Sequence, residues 1–385
     1  LKLMPIALAA GAVSSCFKGY FNAFRKAAVS AAGEILEFFV KAAFIVIMTL
    51  SAADPDEAEV CRIMIFGIIA GSVSSFIYFG AQFIFRRKSY TGRGSLTFAK
   101  YASYAFPIMG GGLLTSVLSS TNDALIPMCL RQNGDTAAEA FSRFGIFEAI
   151  VIPTLFFPSV VLCSMSGIIV SETARASAEG NRERIKSLAE RLTHWTIIFA
   201  VFAAAVLMRF GSAIGELLGG GDLAGRIITI IAPVVPFIYM EIICEAIIKG
   251  MGEQAFSSLN YLAEYAVRIS VVLIFVPRFG FYGIVASYYA SNVIGNCSRL
   301  IKTKKITGVS LRPFGDILAP LVYVFLTMGA AELLMKPFEH YSACLAYMIA
   351  ETVLWGFVYF VIFAFLGKVR LFERKNLLIF VDNRQ

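Results

Sequence analysis

The sequence predicts an all-α integral membrane protein, and three observations carry that prediction. Of its 385 residues, 58% are hydrophobic and only 16% are charged, with a mean hydropathy of +0.74, far from the balance of a water-soluble domain. Apolar runs of about 20 residues recur along almost the whole length, each long enough to cross a hydrocarbon core of about 30 Å as a helix. The alternating segments of about ten residues that build a transmembrane barrel do not occur.

Eleven spans follow from those runs. The first two, 3–24 and 30–52, meet at a basic region that runs from Lys18 near the end of the first span through Arg25 and Lys26. An acidic stretch, "SAADPDEAEV", leads into the third, 60–85, and a basic segment over 86–100 leads into the fourth, 101–128. The fifth, 144–172, carries Pro153 and Pro158 and is followed by a basic amphipathic linker to the sixth, 192–218. The seventh, 226–248, contains Pro233 and Pro236 and ends on Lys249-Gly250. The eighth, 257–276, and ninth, 281–301, are closely spaced; the tenth, 314–335, and eleventh, 342–366, precede a basic tail. Prolines inside spans remove backbone hydrogen bonds and permit bending, as in the moving helices of transporters.

An odd number of spans puts the termini on opposite sides. Of the 34 Lys and Arg, 24 fall in loops on one side and eight on the other, with Lys41 and Arg268 left inside spans. The positive-inside rule makes the richer side, which includes the C-terminal tail, cytoplasmic. The net charge of +8 thus reflects topology, with membrane lipids as surroundings, and nucleic acid is not an expected partner. Seven cysteines without CxxC spacing and two distant histidines, His194 and His340, form no metal-ligand pattern. "MGGGLL" at 109–114 lacks the spacing and the Lys-Ser/Thr of a phosphate loop. No nucleophile-base set or cofactor motif is present, so neither an enzyme nor a bound cofactor or metal is expected.

The chain also aligns with itself. "LMPIALAAGAVSSCFKGY" matches "VVPFIYMEIICEAIIKGM" at an offset of 231, pairing Pro5 with Pro236, Lys18 with Lys249 and Gly19 with Gly250. After a shorter linker, Glu37 matches Glu264 and Lys41 matches Arg268 at an offset of 227. Both copies run in the same direction across the membrane, which is a parallel repeat with a pseudo-two-fold axis along the membrane normal.

The repeated charges are the main candidates for function. Each acid precedes its base by four residues, so each pair lies on one helical face in the favourable order. A lone charge at mid-bilayer costs about 2.5–3.5 kcal/mol on insertion scales, which favours pairing and a place away from lipid. Lys41 and Arg268 are therefore candidate cavity cations for an anionic substrate, with Glu37 and Glu264 as supporting partners; equally, each pair can be a self-neutralised packing contact. Arg143, read together with Glu148 at the outer entrance of its span, is a third candidate cation. Asn122 and Asp123 are candidates for a coupling ion or for helix-helix hydrogen bonding.

Three segments carry a family likeness. "SSCFKGYFNAFRKAAVSAAGEILEFFVKAAF" resembles the span-loop-span of the stage V sporulation protein B family, where a Phe-basic-Gly-Tyr turn precedes a helix with an acid and then a base. "FEAIVIPTLFFPSVVLCSMSGIIVSETARASAEGNRERIKSLAERLTHWT" and "YASYAFPIMGGGLLTSVLSSTNDALIP" resemble later segments of the same family, in the same order. The resemblance implies the two-lobe fold of the multidrug/oligosaccharidyl-lipid/polysaccharide exporter superfamily. On that fold the chain supplies helices four to fourteen and lacks the first three: 1–90 is the rest of the N-terminal lobe, 91–305 the six-helix C-terminal lobe, and 306–385 two extra helices and a cytoplasmic tail. It further implies a flippase for undecaprenyl-diphosphate-linked saccharides in a bacterial cytoplasmic membrane, serving peptidoglycan, cell-wall or spore-cortex synthesis, with Lys41 and Arg268 at basic positions of the family pattern. A cation-coupled multidrug antiporter of the same fold is the alternative, and a non-transporting factor in envelope assembly is a third expectation.

Overall fold

The computed structural model describes residues 3–24, 26–52, 56–86, 98–310, 313–337 and 345–365. Among them are eleven helices and no strand: α1 (Met4–Ala23), α2 (Ala27–Ser51), α3 (Glu57–Arg86), α4 (Phe98–Asn133), α5 (Ala137–Ala178), α6 (Arg182–Leu217), α7 (Gly221–Gly250), α8 (Gln254–Phe279), α9 (Phe281–Thr307), α10 (Gly315–Met335) and α11 (Leu345–Phe365). Seven of them, α3, α5, α6, α7, α8, α10 and α11, are long and apolar enough to cross a membrane. The protein is an all-α, multi-pass membrane protein. His340 and Cys344 lie outside the described residues, as does the basic tail.

Several helices outrun the spans expected of them, and their caps show why. The Thr136 side chain accepts from the Glu139 N–H while the Glu139 carboxylate accepts from the Thr136 N–H, so α5 starts well before residue 144. Asn181 caps α6 through the Arg184 N–H. The stretch expected as a linker is thereby the first turns of α6: Ile185 and Ala189 are buried, and Arg184 pairs with Glu172 and Glu179. At 1.5 Å per residue, the 36 residues of α6 reach about 54 Å, well past a core of about 30 Å.

Two compact units divide the chain, Leu1–Thr97 and Phe98–Gln385. In the first, α1 and α2 both pack on α3 and barely touch each other. Gly67 and Gly71 of α3 allow this closeness: a Cβ on Gly67 would crowd Ile45, and one on Gly71 would lie 3.0 Å from the Glu37 carbonyl oxygen and 3.1 Å from the Lys41 Cβ. Phe21, Val29 and Phe79 close the small core of this unit. In the second unit α7 and α8 pack on α9 in the same order, again with little contact between the first two. α10 and α11 join that unit against α6, where the Trp355 indole donates to Thr327 Oγ1 at 3.0 Å and the Tyr359 hydroxyl to the Ile198 carbonyl at 3.1 Å.

The prolines of α5 and α7 break their helices in the same way. α5 contains a π-helical turn (Phe147–Val151) and a 3₁₀ turn (Phe157–Ser159) at Pro158, and α7 has a 3₁₀ turn (Ala232–Val234) at Pro233. In each case the carbonyl three residues before the proline accepts from a tyrosine on another helix: Tyr239 of α7 donates to Leu155 at 2.9 Å, and Tyr289 of α9 donates to Ile230 at 2.6 Å. Neighbouring side chains thus supply what the interrupted ladder lacks, as a membrane interior requires. Removing the buried donor by Tyr239→Phe should destabilise the purified protein by about 1–3 kcal/mol in detergent unfolding; an unchanged midpoint would show that the Leu155 carbonyl has another partner.

Candidate functional site

The spacing Glu241-x3-Glu245-x3-Lys249 sets three charges along one face of α7. On α8, Asn260, Tyr261, Glu264, Tyr265 and Arg268 form a polar stripe of the same period, and on α9 the stripe is Ser291, Asn292, Gly295, Asn296 and Arg299. α7 and α8 both pack on α9, so the stripes converge. Gly295 is the point of closest approach, because a Cβ there would lie 2.7 Å from Glu264 Oε2 and 3.1 Å from Arg299 Nη1. Glycine is what lets a carboxylate and a guanidinium meet across this helix pair.

Arg299 is the hub. Its side chain has no exposed surface, and it reaches Glu245 at 2.8 Å, Glu264 at 2.9 Å and Glu241 at 3.2 Å. The guanidinium also lies 4.5 Å from the centre of the Tyr261 ring, a cation-π geometry. Two further cations balance the cluster: Lys249 lies 3.4 Å from Glu245, and Arg268 lies 3.2 Å from Glu264. Three carboxylates and three cations therefore neutralise one another, with Ser257 Oγ donating to Glu245 and Asn260 Nδ2 to the Gly295 carbonyl.

Arg268 occupies the edge of this network. Its Nε donates to Ser291 Oγ at 3.0 Å, and its guanidinium lies over the rings of Tyr288 at 4.5 Å and Tyr265 at 5.3 Å. The side chain keeps 13% exposure where that of Arg299 has none. Glu148 of α5 lies within electrostatic reach of Arg268 and Tyr288, and Asp123 of α4 within reach of Glu148 and Tyr288. Asn122 is buried, with Nδ2 3.3 Å from Asp123 Oδ1, and its Oδ1 has no hydrogen-bond partner.

The other sequence candidates are placed differently from one another. Arg143 donates to both oxygens of Asp135, at 2.9 and 3.1 Å, in the turn between α4 and α5, so its ion-pair partner is Asp135 and not Glu148. In the first unit Glu37 and Lys41 are half-buried against Gly71 and form no ion pair within 4.0 Å among the described residues. Glu34 takes the charge contact of that helix instead, at 2.8 Å from Lys18. His194 Nδ1 lies 3.3 Å from Asp316 Oδ1.

Arg299 is the residue that sequence reasoning misplaced. At the edge of the 281–301 span, it counts with Lys302, Lys304 and Lys305 among the cytoplasmic loop cations, whereas α9 runs on to Thr307 and buries it. A discriminating signal was present: Asn292, Asn296 and Arg299 fall four and three residues apart, one helical face that also holds Gly295. The lysines lie beyond that stripe. Glu241 and Glu245 were legible as charges in an apolar helix but not as partners of α9.

No family model matches the chain, and no solved structure matches it. Among curated proteins, it is similar to stage V sporulation protein B of Bacillus subtilis (strain 168), with 17% identity over 311 residues. The likeness is distant. It covers 78% of this chain and 60% of that protein, so the chain spans about 60% of the relative's length.

Removing one partner of a buried ion pair leaves its charges uncompensated, at a cost of about 3–5 kcal/mol. Arg299→Met should therefore sharply reduce the folded, monodisperse fraction in detergent, and adding Glu245→Gln and Glu264→Gln should restore part of it. Equal loss in the single and triple variants would show that Arg299 acts by packing alone.

Proposed function

We propose that the chain belongs to a transporter that moves saccharides linked to undecaprenyl diphosphate across the bacterial cytoplasmic membrane by alternating access, with its C-terminus in the cytoplasm. The multi-pass helical fold and the sequence likeness to stage V sporulation protein B over most of the chain support this reading. The observation that carries it is the sharing of Glu264 between Arg268 and Arg299. A diphosphate that draws Arg268 away leaves Glu264 still paired with Arg299, so the guanidinium can exchange a carboxylate for a phosphate without stranding a buried charge. A planar guanidinium suits that exchange because it binds both oxyanions bidentately.

The carboxylates of Asp123 and Glu148, within electrostatic reach of each other, favour a second reading, cation-coupled antiport of drugs on the same fold. The two readings separate by mutation. The complete reading frame is expressed in a bacterium depleted of its own lipid II flippase, and the outer-leaflet precursor is measured. Arg268→Ala should abolish restoration by wild type while insertion persists, and Arg268→Lys should recover only part of it. Normal flipping by Arg268→Ala removes this residue from the mechanism. Export of cationic dyes that Asp123→Asn and Glu148→Gln abolish, with no precursor restored by wild type, establishes antiport instead.

A further inference from the structure

Arg209 near the C-terminal end of α6, Glu332 near the C-terminal end of α10 and Glu351 in the second turn of α11 surround a cavity of about 560 Å³, with Lys336 and Tyr347 also on its wall. All three helices contribute the end that charge asymmetry places outside. Arg209 Nη2 is shared between Glu332 at 3.1 Å and Glu351 at 3.6 Å, so two carboxylates divide one guanidinium. Glu351 is the informative residue, since its side chain is only 2% exposed and its Oε2 has no hydrogen-bond partner. An unpaired carboxylate oxygen buried beside a cavity calls for a cationic donor. Lys336 pairs with no acid within 4.0 Å among the described residues, so the same cavity offers one free positive group.

We propose that this cavity binds a primary ammonium group joined to a phosphate, the chemistry of a zwitterionic phospholipid headgroup. An –NH₃⁺ has three donors, enough for Glu351 Oε2 and Glu332 together, and the attached phosphate then meets Lys336. A quaternary ammonium has no N–H to give and favours an aromatic cage, which a wall of two carboxylates does not provide. A Ca²⁺ or Mg²⁺ ion needs six or more oxygen ligands, and two carboxylates already engaged by Arg209 supply too few. Leu333, Leu334, Ile349 and Val353 are exposed on α10 and α11, so the apolar flank beside the cavity suits the acyl chains of the molecule whose headgroup enters it.

The test places purified protein in nanodiscs of phosphatidylcholine alone, with added phosphatidylethanolamine, with added phosphatidylglycerol, or with free phosphoethanolamine in the buffer. Wild type should gain about 3 °C or more in unfolding midpoint with phosphatidylethanolamine and little with phosphatidylglycerol. Glu351→Gln, nearly isosteric, should stay folded in phosphatidylcholine, with its own lower or equal midpoint there as the baseline, yet lose the gain over that baseline, and should retain less phosphatidylethanolamine in native mass spectrometry. Should Glu351→Gln fail to fold, Glu332→Gln and Lys336→Gln read the same two contacts from the exposed wall. A gain with free phosphoethanolamine alone keeps the ammonium site and identifies a soluble source. An equal gain in wild type and variants, an equal gain from phosphatidylglycerol, or no gain at all overturns the proposal.

Discussion

A guanidinium with no exposed surface can exist inside a helix bundle only if carboxylates meet it at hydrogen-bond range, and the second unit is arranged around that requirement at Arg299. Glu241 and Glu245 come from α7 and Glu264 from α8, so satisfying one side chain on α9 sets the rotation and height of three helices together. A rotation of any of these helices strands a charge, which makes register the main consequence of the network. Net stability is a weaker expectation, because desolvation offsets much of the attraction in such clusters. Gly295 belongs to the same constraint, since any larger residue would hold α8 and α9 apart where Glu264 and Arg299 meet.

The first unit shows the same packing without the charges. Glu37 sits against Gly71 as Glu264 sits against Gly295; the offset of 231 sets Ser14 opposite Glu245 and Ala10 opposite Glu241, and matching Gly71 to Gly295 sets Ser75 opposite Arg299. Ser14 and Ser75 are both buried. Acids and base differ between the copies as a set, which is what electrostatics demands: an arginine without its acids, or acids without their arginine, would be worse than small residues throughout. Lys41 and Arg268, matched in sequence, consequently have different surroundings, one without an ion pair among the described residues and the other held by Glu264 and Ser291.

Apolar runs made the helices legible, because the demand to cover a hydrocarbon core acts on each segment alone. Helix ends were less so: residues 182–191 are polar enough to suggest a connecting segment, and only their burial against neighbouring helices, through Ile185 and Ala189, reveals them as part of α6. Partnerships across the chain were the least legible. Nothing in the residues near position 299 announces acids 35 to 58 positions earlier, and Glu148 reads with Arg143 only because the two lie close in sequence. Asp135 in the preceding turn was equally local and wins that contact. Sequence spacing reports what shares a helical face; it does not report which faces meet.

The tyrosine donors at the two proline breaks carry a consequence for motion. Tyr239 rides on α7 and completes α5, and Tyr289 rides on α9 and completes α7. Bending is thereby handed along a line of three helices, each borrowing a rung from the next. Straightening α5 gives up its bond to α7, and straightening α7 gives up its bond to the helix that holds Arg299. The two hydrogen bonds tie the breaks of α5 and α7 to the helix that carries Arg299, so straightening either break costs a hydrogen bond to its neighbour.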